Sequence, residues 1–193
     1  MEMEDFETES LADSLVLWVV DMQPTLLKAI DPDGALLRRT EFAIRAAKLL
    51  GMRVIFTEQL PEKLGPTAPL LIEAAGGEDQ ALVFSKTAFN GFGAPGIDRF
   101  FAGLEDTHLI IAGIETPICI YQTVLDGLGR DFQITLFSDC IGARREEDAT
   151  HIIRVLAGAG ATILPSESVF YSILAEAGHP AFQEFTQLVK DFN

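Results

Sequence analysis

The sequence predicts an α/β fold: one domain over residues 1–193, with helices on both faces of a parallel β-sheet. Three observations predict it. Short, nearly unbroken apolar runs rich in β-branched residues recur along the chain, the pattern of parallel strands covered on both faces. Stretches of helical period separate them, so strand and helix alternate as in βαβ units with right-handed crossovers. Glycine and proline gather at strand ends, in 60–69 and 90–96, and no repeat, linker or low-complexity block interrupts the pattern.

Taken in order, "LVLWVVD" (15–21) reads as a buried strand, and "TEFAIRAAKLLG" (40–51) as a helix with Thr40 a possible cap and Gly51 its stop. "RVIFTEQ" (53–59) is a second buried strand, followed by the loop at 60–69. "ALVFSK" (81–86) is a weaker strand, followed by the loop at 90–96, and "HLIIAGI" (108–114) is a strong one. "TPICIYQTVLDGLG" (116–129) reads as a helix with Thr116 a candidate cap and Pro117 at its first position. "QITLFSD" (133–139) is another weaker strand. "REEDATHIIRVLAGAG" (145–160) has the acidic first turn and glycine-rich end that a helix dipole favours. "ATILP" (161–165) reads as a sixth strand ended by its proline, and "PAFQEFTQLVKDF" (180–192) as a closing amphipathic helix.

Composition bounds the function. A chain of 193 residues with 48% apolar residues can bury a real core as one domain. Its 14 basic and 29 acidic residues give a net charge of −15, which argues against a nucleic-acid partner. The two cysteines make no disulfide framework and no zinc knuckle. Residues 1–13, opening "MEMEDFETES", read as a loose acidic extension without the apolar core of a secretory signal. The run "LVLWVV" is too short to span a membrane. The expected setting is reducing and cytoplasmic, with a small molecule as partner rather than nucleic acid or membrane.

In an open α/β sheet, ligands bind beyond the carboxyl ends of the strands. There the first strand ends in Asp21, the 81–86 strand in Lys86, and the 108–114 strand runs through Gly113 into the turn that delivers Cys119. Singly, each has a plain alternative: Asp21 a turn cap, Lys86 a solvated strand end, Cys119 a packed thiol. Together they suit nucleophilic chemistry. A thiol attacks a carbonyl as thiolate, which a helix N-terminus and an ammonium favour. A carboxylate can take the S–H proton and return it to the leaving group. Backbone N–H groups before Cys119 can hold the oxyanion.

The segments "VVDMQ" at Asp21, "FSKTAFNGF" at Lys86 and "AGIETPICIYQTVLD" at Cys119 resemble those of the isochorismatase-like cysteine hydrolases, relatives of nicotinamidase and N-carbamoylsarcosine amidase. "FTEQLPEKLGPTAP" resembles a metal-free branch of that superfamily. The resemblance implies a three-layer α/β/α domain with a six-stranded parallel sheet in order 3-2-1-4-5-6. It implies Asp21, Lys86 and Cys119 as a catalytic triad, and a cis peptide at Ile114–Glu115 that aims the N–H groups of Glu115 and Cys119 at the oxyanion. Its nicotinamidases bind a metal through an aspartate and histidines after the second strand. Here that place reads Glu58, Gln59, Leu60. His108 opens a strand at the far end of the sheet, His151 lies within a helix and His179 precedes one, so no metal and no cofactor are expected. Cys119 also argues against isochorismate, since true isochorismatases do not use a cysteine there. Cys140 reads as a packed thiol and Asp139 as a loop-ordering residue.

Phe89 and Phe92 are candidates to line an apolar pocket, and Gln23 to orient Asp21 or touch substrate. The apolar fraction, and the habit of relatives to assemble, lead to the expectation of a homo-oligomer whose neighbour meets the loops at 60–69 and 90–96. The function expected is hydrolysis of a small amide or related acyl compound, at a non-peptide C–N bond, through a thioester. The alternative is a non-catalytic oligomeric or binding protein on the same fold. A nucleotide-binding domain is excluded at the first turn, where "DMQPTLL" carries no phosphate-binding glycine pattern.

Overall fold

The computed structural model describes residues 14–104 and 106–192; the expected extension at 1–13 lies outside them. Six parallel strands form one sheet: β1 (Leu15–Val20), β2 (Arg53–Gln59), β3 (Leu82–Lys86), β4 (His108–Ile114), β5 (Gln133–Gly142) and β6 (Thr162–Leu164). Their order is β3-β2-β1-β4-β5-β6. With β1 and β4 adjacent, the point where strand order reverses lies between them, and the carboxyl ends of both open there.

Burial on both faces explains the unbroken apolar runs. In β1, Leu15, Leu17 and Val19 point into one core with helices α2 (Ala35–Leu49), α4 (Pro69–Ala74), α8 (Ser166–Leu174) and α9 (Phe182–Phe192). Val16, Trp18 and Val20 point into the other, with α5 (Ile97–Phe101), α6 (Tyr121–Gly129) and α7 (Glu146–Ala159). The two short helices α1 (Pro24–Ile30) and α3 (Pro61–Leu64) sit at the carboxyl edge. Strand β3 lies at the sheet border with Leu82 and Val83 exposed. Among the described residues, no helix is long and apolar enough to cross a membrane.

Several local expectations are corrected. Thr40 does not cap a helix: α2 begins five residues earlier, and Thr40 Oγ1 donates back to the Leu36 carbonyl at 2.9 Å. The capping carboxylate is Asp31, whose two oxygens accept from the N–H groups of Leu36 (3.0 Å) and Leu37 (2.8 Å). The stretch 60–69 is partly helical, holding α3 and the start of α4. Strand β5 continues three residues past Asp139 to Gly142, because its pairing with β4 jumps from Ile111↔Leu136 to Gly113↔Ile141. Residues 137–140 thus bulge opposite Ala112 alone. Bulges of this kind re-aim chains beside functional sites.

Gly113 shows how tightly the switch point is closed. Its φ is +121°, and a Cβ there would lie 2.1 Å from the Val20 carbonyl oxygen. Only glycine lets β4 pass β1 at this level.

Candidate active site

Asp21 follows β1 directly, in a left-handed backbone conformation (φ +55°) held by its N–H to the Thr57 carbonyl at 2.9 Å. A non-glycine residue there is uncommon and marks a place where the surroundings dictate the backbone. This turns the carboxylate inward, where it is 1% exposed. Lys86, at the end of β3 and 2% exposed, extends toward it. Lys86 Nζ lies 2.6 Å from Asp21 Oδ2, 2.7 Å from Gln59 Oε1, 3.2 Å from the carbonyls of Ala88 and Phe89, and 3.7 Å from Cys119 Sγ. The structure thus brings Asp21, Lys86 and Cys119 together from three strand ends.

Cys119 sits on a turn of π-helix, Thr116–Ile120, that leads into α6. The Glu115 carbonyl accepts from the N–H groups of Ile118 (3.0 Å) and Ile120 (3.2 Å), and the Ile114–Glu115 peptide is cis. Single π turns inside helices recur at functional sites. The Glu115 backbone N–H lies near enough to the Cys119 sulfur to favour its thiolate form. Thr116 does not cap this helix; its hydroxyl donates to the Gly142 carbonyl at 3.0 Å.

The electrostatics differ from the sequence expectation of a stabilised thiolate. Burial, and then the Asp21 charge, push the Cys119 thiol up to about 12, against the opposing pull of Lys86 and the Glu115 N–H. Burial also raises Asp21 above its ordinary value, although Lys86 and hydrogen bonds from Cys119 and Thr57 oppose the rise. Asp21 Oδ1 is buried without a partner of full hydrogen-bond geometry. The resting arrangement is therefore a protonated thiol beside a carboxylate of heightened basicity, with an ammonium against both.

The other candidates separate. The Gln23 side chain does not bond the Asp21 carboxylate: its Nε2 donates to the carbonyls of Gln59 (3.1 Å) and Gly65 (2.5 Å), and its Oε1 accepts from the Gln59 N–H (2.8 Å), while its backbone N–H donates to the Asp21 carbonyl (2.7 Å). It fixes Gln59, which in turn holds Lys86. Phe92 is not a pocket wall: 4% exposed, it packs edge-on to Trp18 with ring centroids 5.0 Å apart. Phe89 is 55% exposed, and its carbonyl serves Lys86. A cavity of about 350 Å³ reaches Lys86 between Leu60, Pro61, Lys63 and Thr87. Another, of about 480 Å³, lies against Glu115, Pro117, Ile118 and Arg144.

Two further residues belong to the site. In the sequence Gln59 stands only as one of the residues at the place of the relatives' metal ligands. Thr123 donates to the Cys119 carbonyl (2.7 Å) and accepts from the Gly91 N–H (2.7 Å), joining the loop after Lys86 to the cysteine turn. Its position one helical turn after Cys119 was the available signal.

The donor set at the end of β2 does not fit a metal. Gln59 Nε2 donates to the Thr87 carbonyl at 2.9 Å while its oxygen holds Lys86, and Glu58 Oε1 accepts the Thr67 N–H at 2.6 Å. Among the described residues, no three His, Cys, Asp or Glu side chains gather closely enough to hold an ion. His108 Nε2 lies 2.9 Å from Thr135 Oγ1, and His179 Nδ1 accepts the Ala181 N–H. Cys140 is fully buried, its sulfur 3.6 Å from the Arg39 carbonyl. Asp139 accepts from Arg39 Nε (2.7 Å) and from the N–H and hydroxyl of Ser166 (2.8 and 2.7 Å), capping α8.

The isochorismatase domain model matches residues 15–168. Isochorismatase domain-containing protein 2 of Xenopus laevis is 31% identical over 179 residues, 92% of this chain and 84% of its own length. Among solved structures, MAR1 ribonuclease from Caenorhabditis elegans superposes with a TM-score of 0.84 at 27% identity, covering 93% of this chain and 91% of that one. The octameric hydrolase YcaC of Escherichia coli superposes with a TM-score of 0.71 at 18% identity, covering 93% of each chain; this is a likeness of fold.

Proposed function

The chain belongs to the isochorismatase family, whose fold is that of a hydrolase, and from that premise we propose that it is a cysteine hydrolase of a small amide or related acyl compound. Cys119 is the nucleophile, Asp21 the general base and acid, and Lys86 the cation that holds them. The observation that carries this reading is one buried ammonium touching both a carboxylate (2.6 Å) and a thiol (3.7 Å). Buried charges kept together in this way cost stability to maintain and cluster at functional sites.

In the proposed cycle, Asp21 takes the S–H proton as sulfur attacks the carbonyl carbon. The carbonyl electron pair moves to oxygen, where the N–H groups of Glu115 and Cys119 receive it. Collapse breaks the C–N bond, and Asp21 returns its proton to the departing nitrogen. A water molecule, losing its proton to Asp21, then attacks the thioester. The C–S bond breaks, the thiol recovers the proton, and an acid leaves. The sum is amide plus water giving acid plus amine. A thiol near 12 suits this order, since the proton moves only as the sulfur attacks.

A panel of small amides, read by released ammonia or amine and by the mass of acylated Cys119, tests the proposal. Turnover is expected to survive exhaustive chelation and to stop on thiol alkylation. Loss to chelator with recovery on added zinc or manganese returns the nicotinamidase-like, metal-dependent reading. The raised thiol favours one other reading, a binding protein on the same fold; no acyl-enzyme with any reactive acyl probe would support it. The ribonuclease name of the Caenorhabditis neighbour marks a third chemistry, which a net charge of −15 disfavours here.

The proposal includes a cytoplasmic homo-oligomer. The Escherichia coli neighbour of like fold is an octamer, which supports this, and exposed Leu82 and Val83 on the border strand offer apolar surface. Light scattering at micromolar concentration is expected to give a multiple of 21.0 kDa; a monomer mass would count against it.

A further inference from the structure

We propose that Glu115 and Arg144 are positioning residues, an ion-paired latch that fixes the cysteine turn against the chain leaving β5 and so sets the aim of the Glu115 N–H. The inference rests on the reading of Cys119 as nucleophile. Three hydrogen bonds join the turn to residues 142–144. Glu115 Oε1 accepts from the Arg144 N–H at 3.1 Å and from Arg144 Nε at 2.6 Å, and Thr116 Oγ1 donates to the Gly142 carbonyl at 3.0 Å. The two partners differ in burial: the Glu115 side chain is 12% exposed and that of Arg144 64%. An exposed ion pair contributes little to stability, but a half-enclosed carboxylate receiving two donors from one residue fixes an orientation.

The orientation matters because of what else Glu115 does. Its carbonyl accepts from Ile118 and Ile120, shaping the π turn, and its N–H meets the Cys119 sulfur. Side chain, carbonyl and N–H are thus each engaged, and the side chain alone is anchored outside the turn. The β5 bulge makes that anchor possible. By resuming the ladder at Gly113↔Ile141 and Ile114↔Gly142, it sets Arg144 beside the end of β4. A small rotation of an oxyanion donor costs a large part of its transition-state worth, so the latch acts on rate rather than on stability.

The test compares Glu115→Ala, Glu115→Gln and Arg144→Ala with the wild-type protein. The readouts are the rate of iodoacetamide alkylation of Cys119 at a fixed, mildly alkaline pH, kcat and KM on an amide found active, and the melting temperature. Glu115→Ala is expected to lower kcat at least tenfold with KM within threefold, and to slow alkylation at fixed pH several-fold as the N–H loses its aim at sulfur. Glu115→Gln, which keeps an oxygen acceptor in place, recovers most of the loss. Arg144→Ala falls between, since its backbone N–H still reaches Glu115. The latch is overturned if Glu115→Ala leaves kcat and the alkylation rate unchanged, or if KM alone changes, which would put these residues on the substrate. Absence of both alkylation and turnover in the wild-type protein is a separate result and overturns the nucleophile itself.

Discussion

Cys119→Ala is expected to leave a folded protein with no measurable turnover, while Cys140→Ala keeps its activity. In the proposed cycle the sulfur forms the only covalent bond to substrate, so its removal deletes the pathway rather than weakening it. Losses on the order of 10⁴-fold or more accompany removal of a nucleophile that acts with its base as a unit. The fold survives because sulfur is a small part of the core beside Ile120 and Val124. The stability cost should be about 1–2 kcal/mol. Cys140 is the control, since burial and Asp139 push its thiol well up and its charged neighbours are Asp139 and Arg39 rather than Asp21 and Lys86. The measurement is turnover together with intact mass after incubation with a reactive acyl probe. Activity lost in Cys140→Ala and kept in Cys119→Ala would identify the wrong thiol.

The strands at the site were legible because their signal is local. "RVIFTEQ" and "HLIIAGI" coincide with β2 and β4 to the residue, each bounded by a polar or glycine-bearing turn. Asp21, Lys86 and Cys119 were legible for the same reason: each is the polar residue, or the turn, that ends such a run. What failed was whatever depends on partners distant in sequence. Thr40 and Thr116 look like caps, but Asp31 had already capped α2, and the Thr116 hydroxyl found a carbonyl on β5. Phe92 follows the lysine in a glycine-rich loop, yet its ring packs against Trp18, Phe101 and Phe132 in the core. Gln59 looked like a defect in a metal site because its partner, Lys86, lies 27 residues away. The four-residue bulge of β5 has no sequence period to announce it.

Lys86 carries the second large effect, on stability. Its ammonium, itself shielded from solvent, faces one carboxylate, one carboxamide oxygen, two backbone carbonyls and one sulfur. Lys86→Met keeps the length of the side chain and removes the charge. Asp21 then holds an uncompensated buried charge, and Gln59 Oε1 loses its partner. Breaking a buried pair on one side costs about 3–5 kcal/mol, which for a chain of this size lowers the melting temperature by roughly 10 °C. Adding Asp21→Asn to Lys86→Met is expected to recover part of that loss, because it removes the orphaned charge. The pH dependence carries a definite sign. Burial already holds Asp21 above 3.8, and without Lys86 nothing charged opposes it. A carboxylate with a raised folded-state value destabilises the fold above that value and not below the unfolded one. The deficit of Lys86→Met is therefore full at neutral pH and shrinks as pH falls toward 3.8. Chemical denaturation of the wild type, the single variant and the double variant at neutral and acidic pH measures it. A deficit independent of pH, or a double variant less stable than the single one, would show that Lys86 supports the site by packing rather than by its charge.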